Sequence, residues 1–219
     1  MRNYFKKVVY LFVIAWVSWA HAGSYEDFFQ ALDTDNAIVV GQLLERGFDP
    51  NTPNPKGVPA LMLALKVPSP RVATLLIRHP ETMVEVRNAQ DESPLMLAAL
   101  GGFLDICTQL IERDADVNKP GWTPLHYAAT NSHVPVIQLL LDQHAYIDAA
   151  SPNGTTPLMM AAMYGNASAV KLLLESGADP TLKNDLGLSA IDFAERVKKS
   201  DSTAIIAAFI RARRPKGAW

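Results

Sequence analysis

The chain is poor in the residues that usually announce chemistry. Only one of its 219 residues, Cys107, is a cysteine, which excludes a disulfide within the chain and any paired-cysteine metal site. Its 12 glycines are scattered and build no phosphate-cradling loop, and no serine stands in a nucleophile-elbow setting. The carboxylates are numerous, yet residues such as Asp49, Asp116 and Asp179 fall at turns, where they satisfy backbone donors. No catalytic, cofactor-binding or metal-binding constellation emerges, so an enzyme is not expected. Positive charge is not in excess either, at 20 Lys+Arg against 22 Asp+Glu. Such a balance does not favour phosphate backbones, and nucleic acid is not an expected partner.

Long apolar runs are absent beyond the first 22 residues. There, Arg2, Lys6 and Lys7 precede a 13-residue apolar run, Val8 to Ala20, followed by Ala20-His21-Ala22. A basic start, a short apolar stretch and an A-x-A triplet predict a secretory signal peptide, residues 1–22, cut after Ala22. An uncleaved anchor is the alternative, but spanning a bilayer takes about 20 apolar residues. No cysteine lies nearby, which argues against a bacterial lipoprotein. Cleavage would leave 17 basic against 22 acidic residues, a net charge of −5, with no membrane attachment. The expected location is a periplasm, with secretion from the cell as the alternative. The triplets at Asn153 and Asn166 would matter as glycosylation sites only in a eukaryotic secretory route.

What fills the rest is repetition. Thr123-Pro124-Leu125-His126 is followed by Thr156-Pro157-Leu158-Met159 and preceded by Ser93-Pro94-Leu95-Met96, with weaker versions at Pro59-Ala60-Leu61-Met62 and Ser189-Ala190-Ile191-Asp192. The proline slot falls at 60, 94, 124, 157 and 190, a period near 33, and one further step back lands on Asp27. Six units starting near 25, 58, 92, 122, 155 and 188 therefore occupy residues 23–211, leaving 212–219 as a basic tail.

The sequence resembles the ankyrin-repeat family, whose unit is a turn and two antiparallel helices. Trp122-Thr123-Pro124-Leu125-His126-Tyr127-Ala128-Ala129 and the ending Leu172-Leu173-Leu174-Glu175-Ser176-Gly177-Ala178-Asp179 carry the likeness. It implies an all-α solenoid of about six helix-turn-helix units whose concave face grips another protein.

The repeats also make physical sense by themselves. Thr123 or Thr156 can cap a helix, and the next proline sits where its missing N–H costs nothing. Paired alanines such as Ala128-Ala129 and Ala161-Ala162 keep one helix face thin for close packing. Leu125, Leu158, Leu139 and Leu140 are expected to face inward, each burial worth about 1.5–3 kcal/mol. One unit cannot cover this surface, whereas stacked units can. Cys107 occupies a helix-two slot that Val40, Ile137 and Val170 fill elsewhere, so it reads as a buried apolar residue.

Met62, Met96 and Met159 occupy the slot of His126. In the family that histidine ties adjacent turns, so its replacement puts those ties in doubt and points to core filling. A methionine-based metal or redox module is the competing reading, since thioether is a soft ligand.

By register, the resemblance places binding slots around the turns at Lys56, Gln90, Glu92, Trp122, Asn153, Thr155 and Leu186, and after the paired alanines at Lys66, Leu100, Thr130, Asn131, Met163 and Tyr164. Trp122, Leu100, Met163 and Tyr164 would form an apolar centre within a polar rim, the composition of a binding hot spot. One irregularity sharpens this expectation. Eight residues separate Asp49 from Gly57 and Asp179 from Gly187, but five separate Asp116 from Gly121, where Lys119-Pro120 stands. The shortened finger predicts a notch beside Trp122. The chain is thus expected to be a monomeric, exported, non-catalytic scaffold that binds and supports or protects an envelope protein; a secreted effector acting on host proteins is the alternative.

Overall fold

The computed structural model describes residues 23–66 and 69–213. The signal-peptide reading and the end of the basic tail lie outside them. The described residues fold into two compact units, divided between Met83 and Val84.

In the first unit, α1 (residues 23–33) is followed by α2 (Ala37–Glu45), α3 (Ala60–Lys66) and α4 (Pro70–Arg78). Phe28 is fully buried and stacks on Phe48 with ring centroids 4.5 Å apart, closing the base of the first hairpin. α4 opens at Pro70, directly after Ser69. Ser69 is buried and donates its hydroxyl to the Leu32 carbonyl at 2.8 Å instead of capping its own helix. Asp35, from the preceding hairpin, takes over the cap by accepting the Val72 N–H at 2.9 Å. Asn51 braces the next turn, donating to the Glu81 carbonyl and accepting from the Met83 N–H, both at 2.8 Å.

The second unit holds four hairpins: α5 (Pro94–Gly101) and α6 (Leu104–Glu112), α7 (Pro124–Thr130) and α8 (Val134–Asp142), α9 (Pro157–Met163) and α10 (Ala167–Glu175), α11 (Ala190–Arg196) and α12 (Ser200–Arg213). The first helices pack in the order α5, α7, α9, α11, and the second helices α6, α8, α10, α12 form a parallel layer behind them. Every proline-slot residue from 60 to 190 opens a helix, as the tetrads predict. Ala98-Ala99, Ala128-Ala129 and Ala161-Ala162 are all fully buried, which is what lets successive first helices touch. Leu95, Leu125, Leu158 and Leu140 are buried completely, whereas Leu139 lies half-buried on the edge of its helix. The last helix runs to Arg213, two residues past the sequence-based boundary at 211.

Cys107 is fully buried, and burial pushes its thiol up to about 12, so the thiolate is suppressed. The histidine-slot methionines are equally enclosed: Met62, Met96 and Met159 are each at most 1 % exposed. Their role exceeds filling. The Met96 sulfur accepts the Ser93 N–H at 3.3 Å and the Met159 sulfur accepts the Thr156 N–H at 3.4 Å, while Ser93 and Thr156 cap the Met96 and Met159 amides in return. Asp192 does the same in the last hairpin, accepting the Ser189 N–H at 2.7 Å. Among the described residues no helix is long and apolar enough to cross a membrane.

Candidate functional site

The fingers between hairpins follow one plan. Asn88, Ser151 and Asn184 each start a tight hairpin in which the backbone N–H of the starter meets the carbonyl four residues on, at 3.2, 3.0 and 3.0 Å. The fourth position adopts positive φ, and glycine fills it at Gly154 and Gly187. Asp91 stands there at φ 59, a conformation that short polar side chains tolerate. The starter side chain completes the turn: Asn184 Oδ1, for example, accepts the N–H groups of Leu186 and Leu188.

The finger between α6 and α7 is too short for this plan. Gly121 keeps its positive φ of 82, and Asn118 stands three residues before it. But Asn118 gives its N–H to Asp116 Oδ1 and spends its side chain on the His144 carbonyl and the Tyr146 N–H, so no hairpin bond forms among the described residues. Lys119, only 6 % exposed, threads its ammonium to Asp91 on the preceding finger and donates to the Pro120 carbonyl at 3.0 Å. The Lys119 bond holds the Asp91 carboxyl below the usual carboxylate range.

Beside this finger lies a pocket of about 230 Å³ lined by Leu100, Trp122, His126, Tyr127, Thr130 and Met160. Trp122 is half-buried and meets His126 edge-on, ring centroids 5.2 Å apart. His126 is fully buried. Both the N–H and the hydroxyl of Thr123 approach its Nδ1, at 3.2 and 2.8 Å, which assigns the proton to Nε2 and directs it at the Thr155 carbonyl 2.9 Å away. Thr123 thus serves its histidine rather than capping the helix by itself. Burial lowers the His126 pKa to about 4, so the ring is neutral near pH 7. On the opposite wall Tyr127 donates to Glu92 at 3.0 Å, and burial together with that carboxylate raises the phenol. The pocket is therefore an apolar slot with polar groups held at its margin, suited to receive an apolar side chain and without a nucleophile or general acid–base pair.

The sequence-derived residues distribute unevenly around it. Leu100, Trp122 and Thr130 line the pocket, and Glu92 joins its wall through Tyr127. Asn131, one residue past α7, is exposed but donates to the Leu100 carbonyl at 2.9 Å, fixing the rim. Met163 is half-buried and Tyr164 is 57 % exposed, yet neither lines the pocket. Gln90, Asn153 and Leu186 sit at finger tips, exposed. Thr155 is a correction: it is 3 % exposed, and its N–H is held by Ser151 Oγ at 3.0 Å, so its side chain offers nothing to a partner. Lys56 and Lys66 are exposed in the first unit.

Tyr127 and Met160 escape the sequence reading, although a signal for them exists. Both stand three residues after their proline, one helical turn before Thr130 and Met163, and residues three apart share a helix face. His126 was read as structural, and it is both a tie between fingers and part of the pocket wall. Among the described residues, no group of three His, Cys, Asp or Glu side chains could hold a metal ion.

Comparison with known proteins agrees with the geometry. The family profile "Ankyrin repeats (3 copies)" matches residues 28–120 and 117–184. Similar proteins include the chicken (Gallus gallus) nuclear factor NF-kappa-B p105 subunit, 33 % identical over 78 % of this chain and 18 % of that protein. The mouse (Mus musculus) ankyrin repeat and SAM domain-containing protein 6 is 32 % identical over 59 % of this chain and 16 % of its own length. The zebrafish (Danio rerio) neurogenic locus notch homolog protein 1 is 30 % identical over 76 % of this chain and 8 % of its own. The chain spans less than a fifth of the length of each of these relatives. Capped hairpins at a 33-residue step, helices in two layers and a profile running through most of them lead to one assignment: the chain belongs to the ankyrin-repeat family, whose repeats mediate protein–protein binding.

Proposed function

We propose that this chain is an exported, non-catalytic ankyrin scaffold, working as a monomer, that grips a protein partner around Trp122 and supports or protects it within a bacterial envelope. The observation that carries the reading is the apolar slot beside the one finger, among the described residues, that lacks a hairpin bond. Trp122, Leu100 and Met160 supply the apolar floor, and Glu92, Thr130 and Asn131 supply a polar margin, the division of labour found at binding hot spots. The basic and apolar character of residues 1–22 supports export.

In-cell crosslinking, capture and identification of the bound proteins tests this. Trp122→Ala should cut recovery of the partner about tenfold or more, as loss of a hot-spot side chain does. The same variant forfeits only one edge-on aromatic contact and part of a half-buried surface, so the melting temperature should fall by no more than roughly 5 °C. Unchanged capture by the variant would remove Trp122 from the interface, and loss of folding would make it a structural residue. Fractionation separates the two settings: retention in the periplasm supports the envelope role, and release into the medium supports an effector directed at other cells.

A further inference from the structure

A second cleft, of about 270 Å³, opens at the far end of the hairpins from the fingers, where the α9–α10 loop meets the α11–α12 loop. Its chemistry differs from that of the Trp122 slot. At the start of α2 and α10 an asparagine accepts an amide of the first turn, Asn36 from Val39 and Asn166 from Ala169. At the start of α12, which runs 14 residues, the corresponding position is Lys199, a side chain with donors only. The first-turn amides of this helix therefore meet a cation where those of α2 and α10 meet an acceptor and those of α6 and α8 meet no side-chain cap.

Two further observations point to a missing negative group. Lys199 is partly buried, donates to the Gly165 carbonyl and forms no ion pair among the described residues, so its charge is desolvated without a counter-ion among them. Ser202, in the first turn of α12, lines the cleft, is 2 % exposed and makes no side-chain hydrogen bond among the described residues. Lys198 stands at the rim with φ 58, exposed. The lining contains one carboxylate, Asp201, exposed and in contact with the Ser200 hydroxyl at 3.4 Å.

We infer that this cleft is a binding site for a phosphate-type oxyanion, held by the Lys199 ammonium, the Ser202 hydroxyl and the first-turn amides of α12. A tetrahedral oxyanion has enough acceptors to use all three sets of donors, and a helix start favours negative charge. The phosphate could be free or carried on a larger molecule.

Titration of the full-length chain with inorganic phosphate, followed by amide NMR shifts, tests the inference. Saturable shifts at Asp201 and Ser202 are expected, absent when chloride replaces phosphate at equal ionic strength. Ser202→Ala, which breaks no bond of the fold, and Lys199→Met, which keeps an apolar stem, should each weaken binding about tenfold or more. Asp201→Asn should strengthen it. Methyl phosphate distinguishes the sources: tighter binding than inorganic phosphate indicates a carried group, weaker binding a free ion. Shifts that do not saturate, that chloride reproduces, or that survive Ser202→Ala would overturn the assignment, and the Ser202 variant decides the matter if Lys199→Met fails to fold.

Discussion

His126, anchored in its own repeat by Thr123, reaches across to the next and donates from Nε2 to the Thr155 carbonyl at 2.9 Å. One neutral imidazole thus joins two successive turns, and its neutrality has a pH signature. The unfolded chain binds a proton at this ring near the ordinary value of 6.5, while the folded chain does so only near 4. The stability tied to the neutral ring is complete above pH 6.5 and is lost as pH falls from there to 4, because the unfolded state takes up the proton first. The window corresponds to roughly 3 kcal/mol. His126→Met, which copies the residue found in this slot at Met96 and Met159, should cost about 1 kcal/mol at pH 7.5 through loss of the Thr155 bond. It should also flatten the acid limb, so urea midpoints of variant and parent should converge or cross by pH 4.5. Parallel pH profiles would show that another group governs that limb.

The thioether caps lead to a local prediction. Met159→Leu removes the acceptor of the Thr156 N–H from a site that is 3 % exposed, leaving a buried donor without a partner. A cost of about 1 kcal/mol is expected, at the low end for an orphaned amide because sulfur is a weak acceptor. Hydrogen exchange at the Thr156 amide should accelerate while that at Ser93, capped by Met96, stays unchanged. Equal protection of Thr156 in parent and variant would show that the sulfur contact contributes nothing.

Gly165 supplies a steric prediction. A Cβ there would sit 2.6 Å from Ser132 Oγ, 2.7 Å from the Ala129 carbonyl oxygen and 2.9 Å from the Ala161 carbonyl oxygen. Two of these atoms are backbone and cannot swing away. Gly165→Ala should therefore destabilise the second unit by about 1–3 kcal/mol, read as a lower urea midpoint, whereas Gly41→Ala, inside α2 with its nearest neighbour at 3.7 Å, should stabilise by up to about 1 kcal/mol. Similar effects of the two substitutions would mean that the α9–α10 loop relaxes freely.

The scaffold was legible because its signals are local and repeated. The tetrads gave the helix starts at Pro94, Pro124 and Pro157, and the count from Asp116 to Gly121 gave the short finger, since turn length is a property of sequence spacing. The site was less legible because it depends on how side chains from two hairpins meet. Spacing alone placed Met163 and Tyr164 at its centre, whereas the stacking of α7 on α9 brings Tyr127 and Met160 to the pocket wall. Thr155 was misplaced for a related reason: the slot after the turn residue is half-exposed at Glu92 and Trp122, but the Ser151-led hairpin folds Thr155 inward. Positive φ at Asp91 carried no signal of its own, because aspartate is common in ordinary turns as well. The cleft at Lys199 and Ser202 lay outside the repeat logic, since its character comes from what replaces a capping asparagine.

Methionine keeps a helix start closed but passes nothing onward, whereas the imidazole at 126 does both. Capping and coupling are therefore separable in this fold, and where stability is a sum over nearest neighbours the joints differ in strength. Fraying that begins at the α12 end would run through the aspartate- and methionine-closed hairpins and be arrested at the α7–α9 seam. That seam also borders the Trp122 slot, which puts an imidazole-tied junction of the second unit beside the surface proposed for recognition.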